Sequence, residues 1–201
     1  MADHLGAGRV LGAILAGGAG GRMGGCKADR PLAGRPLVAY PLDALSASCD
    51  RVVVVCKPGE GSRAIGAAEL WDDEPAEPRH PATGIAHALE RAGAPVLVCA
   101  ADMPFVTPGD CAALIDARGA SPDELAVIAA VGDEAQPTFG IYAPAAADAL
   151  RTAAMRGDPL RRVAEELNAA TVGLPADRMR SVNTEVDLRD AERELVSRGP
   201  G

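Results

Sequence analysis

Short apolar runs alternate with amphipathic stretches along the chain. Residues 10–16 (VLGAILA), 51–56 (RVVVVC) and 94–100 (APVLVCA) are nearly continuous in apolar residues. Runs of that length read as strands buried on both faces. Residues 125–131 and 138–142 read as further strands, and 170–174 as a short last one. Helices are expected at 36–47, 83–92, 107–118, 144–155 and 160–169. In the second of these Ile85, Ala88 and Leu89 recur at helical spacing, with Thr83 as the expected cap. Thr107 and Pro108 supply an N-cap and a first helical position for the third. Thr184, with Asp187 as its capping-box partner, opens a last helix that reaches about Val196. Residues 59–70 show no decisive period, and the acidic stretch 71–81 (WDDEPAEPRHP), broken by prolines, reads as a loop.

Strands that alternate with helices predict an α/β chain, a three-layer α/β/α Rossmann-like fold with a mainly parallel sheet. Ligands of such sheets bind outside the carboxyl ends of the strands. The loops after Ala16 and after Ala100 both leave such ends and belong on one edge of the sheet.

Composition narrows the function. Only 2% of the 201 residues are aromatic, so the core must be Ala, Val and Leu, and no stacking platform for single-stranded nucleic acid is available. The net charge of −8 argues against a nucleic-acid partner. The first 35 residues run the other way, with Arg9, Arg22, Lys27, Arg30 and Arg35 against Asp3 and Asp29. A basic segment in an acidic chain suits a small anionic ligand. Five cysteines without a CxxC pair read as reduced thiols in a cytoplasmic protein. With three histidines a thiolate–imidazole zinc site is not expected. No apolar run approaches the ~18 residues of a membrane span, and no secretory signal is visible.

The segment Leu15–Lys27 (LAGGAGGRMGGCK) holds six glycines in thirteen residues, with Arg22 and Lys27 among them. Glycine lets a backbone come close to a ligand, and free amides after a strand make a cradle for phosphate. Arg22 can bind phosphate through two parallel hydrogen bonds, and Lys27 supplies a point charge. The loop is neither a Walker A sequence nor a GxGxxG fingerprint. Asp102, in VCAADMPF, ends the third strand. A carboxylate there can hold Mg²⁺, which takes one or two carboxylates plus substrate phosphates. Its other open role is a turn or helix cap, for which Thr107 is better placed.

The pattern LAGGxxxRMGxxK followed by PLAGRPL closely resembles the nucleotidyltransferases of molybdenum cofactor synthesis, and among them the guanylyltransferases of the MobA type. Later motifs follow in the same order, so the resemblance spans nearly the whole chain. It implies one nucleotidyltransferase domain over 1–201, with a nucleotide-binding half at about 9–106 and an acceptor-binding half at about 107–197. It implies transfer of GMP from GTP to the terminal phosphate of molybdopterin, with Mg²⁺ as cofactor and pyrophosphate as leaving group. It also implies transient contact with molybdenum-insertion or molybdoenzyme-maturation proteins.

By the same resemblance Arg22, Lys27 and Asp102 carry the chemistry. Leu15, Ala16, Gly17, Gly18, Lys27, Asp73 and Asp102 bind the nucleotide, with Asp72 as a neighbour of Asp73. Asp102 binds the metal, and Asn183 either completes the metal site or, with Thr184, only caps the last helix. His80 stands where the family has a glycine and reads as a surface or pocket-wall residue, while Pro81 and Gly84 match. Gln136, Pro137 and Thr138 fall near the acceptor pocket. Cys26 stands where the guanylyltransferases commonly carry Asp, and Cys56 near their nucleotide-contacting Asn; Glu185 replaces a Pro. The rival readings are cytidylyl transfer to the same pterin, guanylyl transfer to another small phosphorylated acceptor, and a GTP-binding module without turnover. LAGG rather than LAAG at the first turn favours GTP.

Overall fold

A computed structural model describes residues 10–17, 27–62, 65–66 and 68–198. A seven-stranded sheet organises them. β1 (Leu11–Leu15) lies between β4 (Arg51–Val55) and β6 (Val96–Ala100), parallel to both. The order across the sheet is β5-β4-β1-β6-β8-β7-β9. Here β5 is Glu69–Trp71, β7 Ala126–Val131, β8 Glu134–Tyr142 and β9 Ala170–Gly173. Only β8 runs antiparallel to its neighbours, so the sheet is mainly parallel, as the alternation of elements predicts.

Alternate side chains of each strand feed two cores, the consequence of a period of two on a sheet covered on both faces. On one face Ala13, Val53, Val55, Val96 and Val98 pack against α2 (Pro81–Ala92), α4 (Ala147–Arg156) and α5 (Leu160–Glu166). On the other, Ile14, Val52, Val54, Leu97 and Cys99 pack against α1 (Ala39–Ser46) and α3 (Pro108–Ala120). A third, smaller cluster joins α6 (Glu185–Arg198) to Leu32, Leu37 and Phe105. Among the described residues no helix is long and apolar enough to cross a membrane.

Several elements differ from expectation. The segment PLAGRPL forms a hairpin of β2 (Pro31–Leu32) and β3 (Arg35–Pro36) before α1 begins. Its two turn residues both have positive φ, +47° at Ala33 and +79° at Gly34. That is the twist a two-residue hairpin loop requires. Trp71 lies in the edge strand β5 rather than in a loop, buried beneath Arg91, whose guanidinium sits 4.4 Å from the ring centre. Helix α2 starts at Pro81, and its cap is His80, whose Nδ1 accepts from Ala82 N at 3.1 Å. Thr83 lies inside the helix and donates to Pro78 O at 3.0 Å, so it is not the cap. Thr107 caps α3 as expected, in a reciprocal pair with Asp110. Residues 144–146 form a short 3-10 turn ahead of α4.

Candidate functional site

The chain leaves β1 to one side for β4 and returns on the other side for β6. That places a topological switch point at the carboxyl ends of β1 and β6, where doubly wound sheets bind ligands. Leu15 and Ala100 are register partners, and Ala101 N donates to Leu15 O at 3.1 Å. The two loops singled out in the sequence therefore leave adjacent points of one sheet edge. A cavity of about 470 Å³ opens there. Leu15, Ala16 and Gly17 line it from β1, and Ala100, Ala101 and Asp102 from β6. Thr138 of β8 reaches it, whereas Gln136 and Pro137 are not in its lining.

Lys27 enters the cavity from a single 3-10 turn over Lys27–Asp29. The hairpin fixes that turn, since Val38 N donates to Ala28 O at 3.0 Å and Leu37 N to Arg30 O at 2.8 Å. Ala28 is buried in the sheet's second core. The Lys27 ammonium then donates to Asp102 Oδ2 at 2.5 Å and to Asn183 Oδ1 at 2.8 Å. Residues far apart in sequence thus converge on one point.

Asn183 reaches this point because its segment is tied to the β6 loop, with Val182 N donating to Asp102 O at 2.8 Å. The cap of α6 is made by other groups: Thr184 Oγ1 accepts from Asp187 N, and the Asp187 carboxylate accepts from Asn183 N and Thr184 N. The N–H of Asn183, followed by the Thr184 hydroxyl, holds the Asp187 carboxyl below its ordinary range. The Asn183 side chain is therefore turned to Lys27 rather than used as a cap. Nor does Asp102 cap α3, which Thr107 and Asp110 cap between them.

Asp102 and Asn183 offer a carboxylate and an amide oxygen to the same cationic centre. An all-oxygen pair at the mouth of the sheet fits the donor preference of Mg²⁺, so these residues can hold that ion. Gly18, Arg22 and Cys26 lie outside the described residues.

Asp73 is placed away from the cavity lining. It is exposed, ion-paired with Arg91, and 3.1 Å from His87 Nε2. Burial opposes its ionisation, but the His87 hydrogen bond and the Arg91 charge outweigh that, and its carboxyl sits below the ordinary range. The carboxylate this loop sends into the cavity belongs to Glu74. Glu74 Oε1 accepts from Lys57 Nζ at 2.9 Å, and the two side chains are only 5% and 3% exposed. Lys57 also donates to Pro75 O at 2.6 Å. Sequence reading missed both residues. The available signal was a charged residue, Lys57, just past the apolar end of β4, and an opposite charge in the loop after β5. His80 lines the cavity while capping α2. Cys56 is fully buried at the end of β4.

Residues 12–171 match the MobA-like NTP transferase domain. A probable molybdenum cofactor guanylyltransferase of Rhodopirellula baltica is 32% identical over 89% of this chain and 90% of its own length. A molybdenum cofactor guanylyltransferase of Cereibacter sphaeroides is 33% identical over 93% of this chain and 97% of its own. Among solved structures, molybdopterin-guanine dinucleotide biosynthesis protein A from Archaeoglobus fulgidus superposes with a TM-score of 0.73 at 27% identity, covering 94% of this chain and all of that one. The 2-C-methyl-D-erythritol 4-phosphate cytidylyltransferase of Thermus thermophilus shares the fold, with a TM-score of 0.65 at 22% identity over 92% of this chain and 98% of its own. With its family model matched over most of its length and relatives of 32% and 33% identity spanning nearly all of it, the chain belongs to the MobA-like NTP transferase family.

Proposed function

We propose that the protein transfers GMP from GTP to the terminal phosphate of molybdopterin and releases pyrophosphate. The observation that carries this reading is the convergence of Lys27, Asp102 and Asn183 in a cavity at the switch point of the sheet. The relatives named for guanylyl transfer to the molybdenum cofactor support the choice of substrates.

In the transfer, an oxygen of the acceptor phosphate forms a bond to the α-phosphorus of GTP. The bond from that phosphorus to the bridging oxygen of the β-phosphate breaks, and pyrophosphate carries the electron pair away. Both reactants are anions, so positioning and charge neutralisation dominate. The attacking phosphate is ionised near neutral pH, and no side chain need act as general base. Lys27 neutralises the triphosphate and is held for the task by Asp102 and Asn183. Arg22 and Gly18 belong to the phosphate-binding loop in this reading. Leu15, Ala16 and Gly17 meet the base and ribose along the end of β1. Asp102 with Asn183 would hold Mg²⁺, which when bound stabilises charge on the phosphoryl oxygens. We place the enzyme in the cytoplasm, where thiols stay reduced; among the described residues Cys49, Cys99 and Cys111 are free thiols.

The test is release of pyrophosphate from GTP by the purified protein with molybdopterin and Mg²⁺. Acceptor-dependent release with GTP is the expected result. Release with CTP in place of GTP moves the assignment to cytidylyl transfer, and GTP binding without release moves it to a binding module.

A further inference from the structure

We infer that Glu74 is the residue that reads the base of the nucleotide and selects guanine; the inference rests on the nucleotidyl-transfer reading above. Glu74 is 4% exposed yet faces the cavity. The loop that carries it is strapped to the end of β4, with Glu74 N donating to Cys56 O at 3.3 Å. One carboxylate oxygen, Oε1, is taken by Lys57. The other, Oε2, accepts no hydrogen bond from the described residues. It lies over Gly17 and Gly84, where a Cβ would come within 2.9 Å and 3.5 Å of it respectively. Both glycines belong to the cavity lining, so the side-chain-free approach to Oε2 is part of the site.

Oε2 opens on the cavity and can accept from a ligand there, and a hydrogen bond to a charged acceptor is among the stronger ones. The donor cannot be a phosphate, which is itself anionic. Of the parts of a nucleotide, the ribose hydroxyls and the base edge supply such groups; a ribose contact would bind GTP and inosine triphosphate alike, so the titration below separates the two. Guanine presents its ring N1–H and its 2-amino group side by side. Adenine and cytosine present one amino group beside a ring nitrogen lone pair, which a carboxylate repels. Lys57 cancels the charge of Glu74, so the pair adds no net repulsion toward the triphosphate. Lys57 is thus a positioning residue: by holding Oε1 it keeps Oε2 turned to the cavity. A site built to meet substrate donors rejects analogues that lack them, because its own polar group is left unpaired.

The test is calorimetric titration of GTP, inosine triphosphate (which lacks the 2-amino group) and CTP into the wild-type protein with Mg²⁺. The expected result is roughly tenfold or greater preference for GTP over inosine triphosphate, the worth of a hydrogen bond to a charged group. Glu74→Gln is expected to narrow that ratio toward parity. Lys57→Met is expected to narrow it too, whereas a purely structural Lys57 would weaken both ligands equally and leave the ratio alone. Should Glu74→Gln fail to fold with Lys57 unpaired, the double variant Lys57→Met/Glu74→Gln removes both charges and serves instead. Equal wild-type affinity for GTP and inosine triphosphate overturns the assignment, as does a ratio that survives in the Glu74 variants or is lost in Asp73→Asn instead. In those cases GTP-dependent pyrophosphate release still stands. Absence of both nucleotide binding and pyrophosphate release fails the transfer reading itself, and this inference falls with it.

Discussion

Lys27 Nζ lies 2.5 Å from Asp102 Oδ2, joining the end of the glycine loop to the end of β6 across 75 positions of sequence. The two side chains are 19% and 21% exposed, and Asn183 completes the contact at 2.8 Å. A cation held by two oxygens at a strand end is oriented before any substrate arrives, which lowers the cost of placing it on a phosphate.

Lys27→Ala should therefore depress catalysis more than stability. Loss of one oriented donor to a charged transition state costs roughly 10²–10³ in turnover. A partly exposed ion pair contributes about 1 kcal/mol or less to folding. Steady-state pyrophosphate release and a denaturant melt on the same preparation check both halves. Wild-type turnover in Lys27→Ala would remove Lys27 from the chemistry.

Gly17→Ala tests the geometry at the opposite wall. A methyl group at Gly17 would meet Glu74 Oε2 at 2.9 Å, and Glu74 cannot retreat freely because Lys57 holds its other oxygen. Overpacking of this kind costs about 1–3 kcal/mol. The strain falls on the cavity, so GTP affinity should drop by roughly tenfold. An unchanged titration would show that the carboxylate can move aside.

The strands legible in the sequence were those buried on both faces, because a continuous apolar run such as residues 52–55 has few alternatives. The strands that escaped were short or at an edge. β5 has three residues and β2 and β3 two each, too few to display a period. The hairpin turn Ala33–Gly34 also lacks the Asn or Asp that usually marks positive φ at its first position. His80 was invisible as a cap because a capping imidazole is outside the usual Ser, Thr, Asp and Asn set. The same limit applied to the site. Lys27, Asp102 and Asn183 stood in motifs whose chemistry could be read locally. Lys57 and Glu74 carry meaning only as a pair, and nothing local tells which of Asp73 and Glu74 turns inward. That is decided by how the chain leaves β5, with Glu74 N bonded back to Cys56 O.

Asp110 should prove a stability residue with no part in the chemistry. Its side chain is 1% exposed, accepts from Thr107 N at 3.0 Å and pairs with Arg178 at 2.8 Å. Asp110→Ala removes one half of the capping box and leaves a guanidinium without its partner. The expected loss is about 1–3 kcal/mol. It should appear as a lower denaturant midpoint at unchanged slope. A midpoint equal to that of the wild type would show that Arg178 and the helix end find other partners.

Acid should loosen the turn that delivers Asn183. Asp187 accepts from Asn183 N at 2.9 Å and from Thr184 N at 2.8 Å. Those bonds hold its carboxyl below the ordinary range in the folded state. A depressed folded value means the unfolded chain binds the proton more readily. The contribution is therefore fully present above the unfolded value of about 3.9 and is lost as the pH falls through the lower folded one. The amide resonances of Asn183 and Thr184 should titrate together, with a midpoint below that of an unperturbed aspartate. In Asp187→Asn this titration should vanish. A midpoint at or above the ordinary aspartate value would mean that Asp187 does not hold the turn. The Lys27–Asn183 contact would then depend on the Val182–Asp102 backbone bond alone.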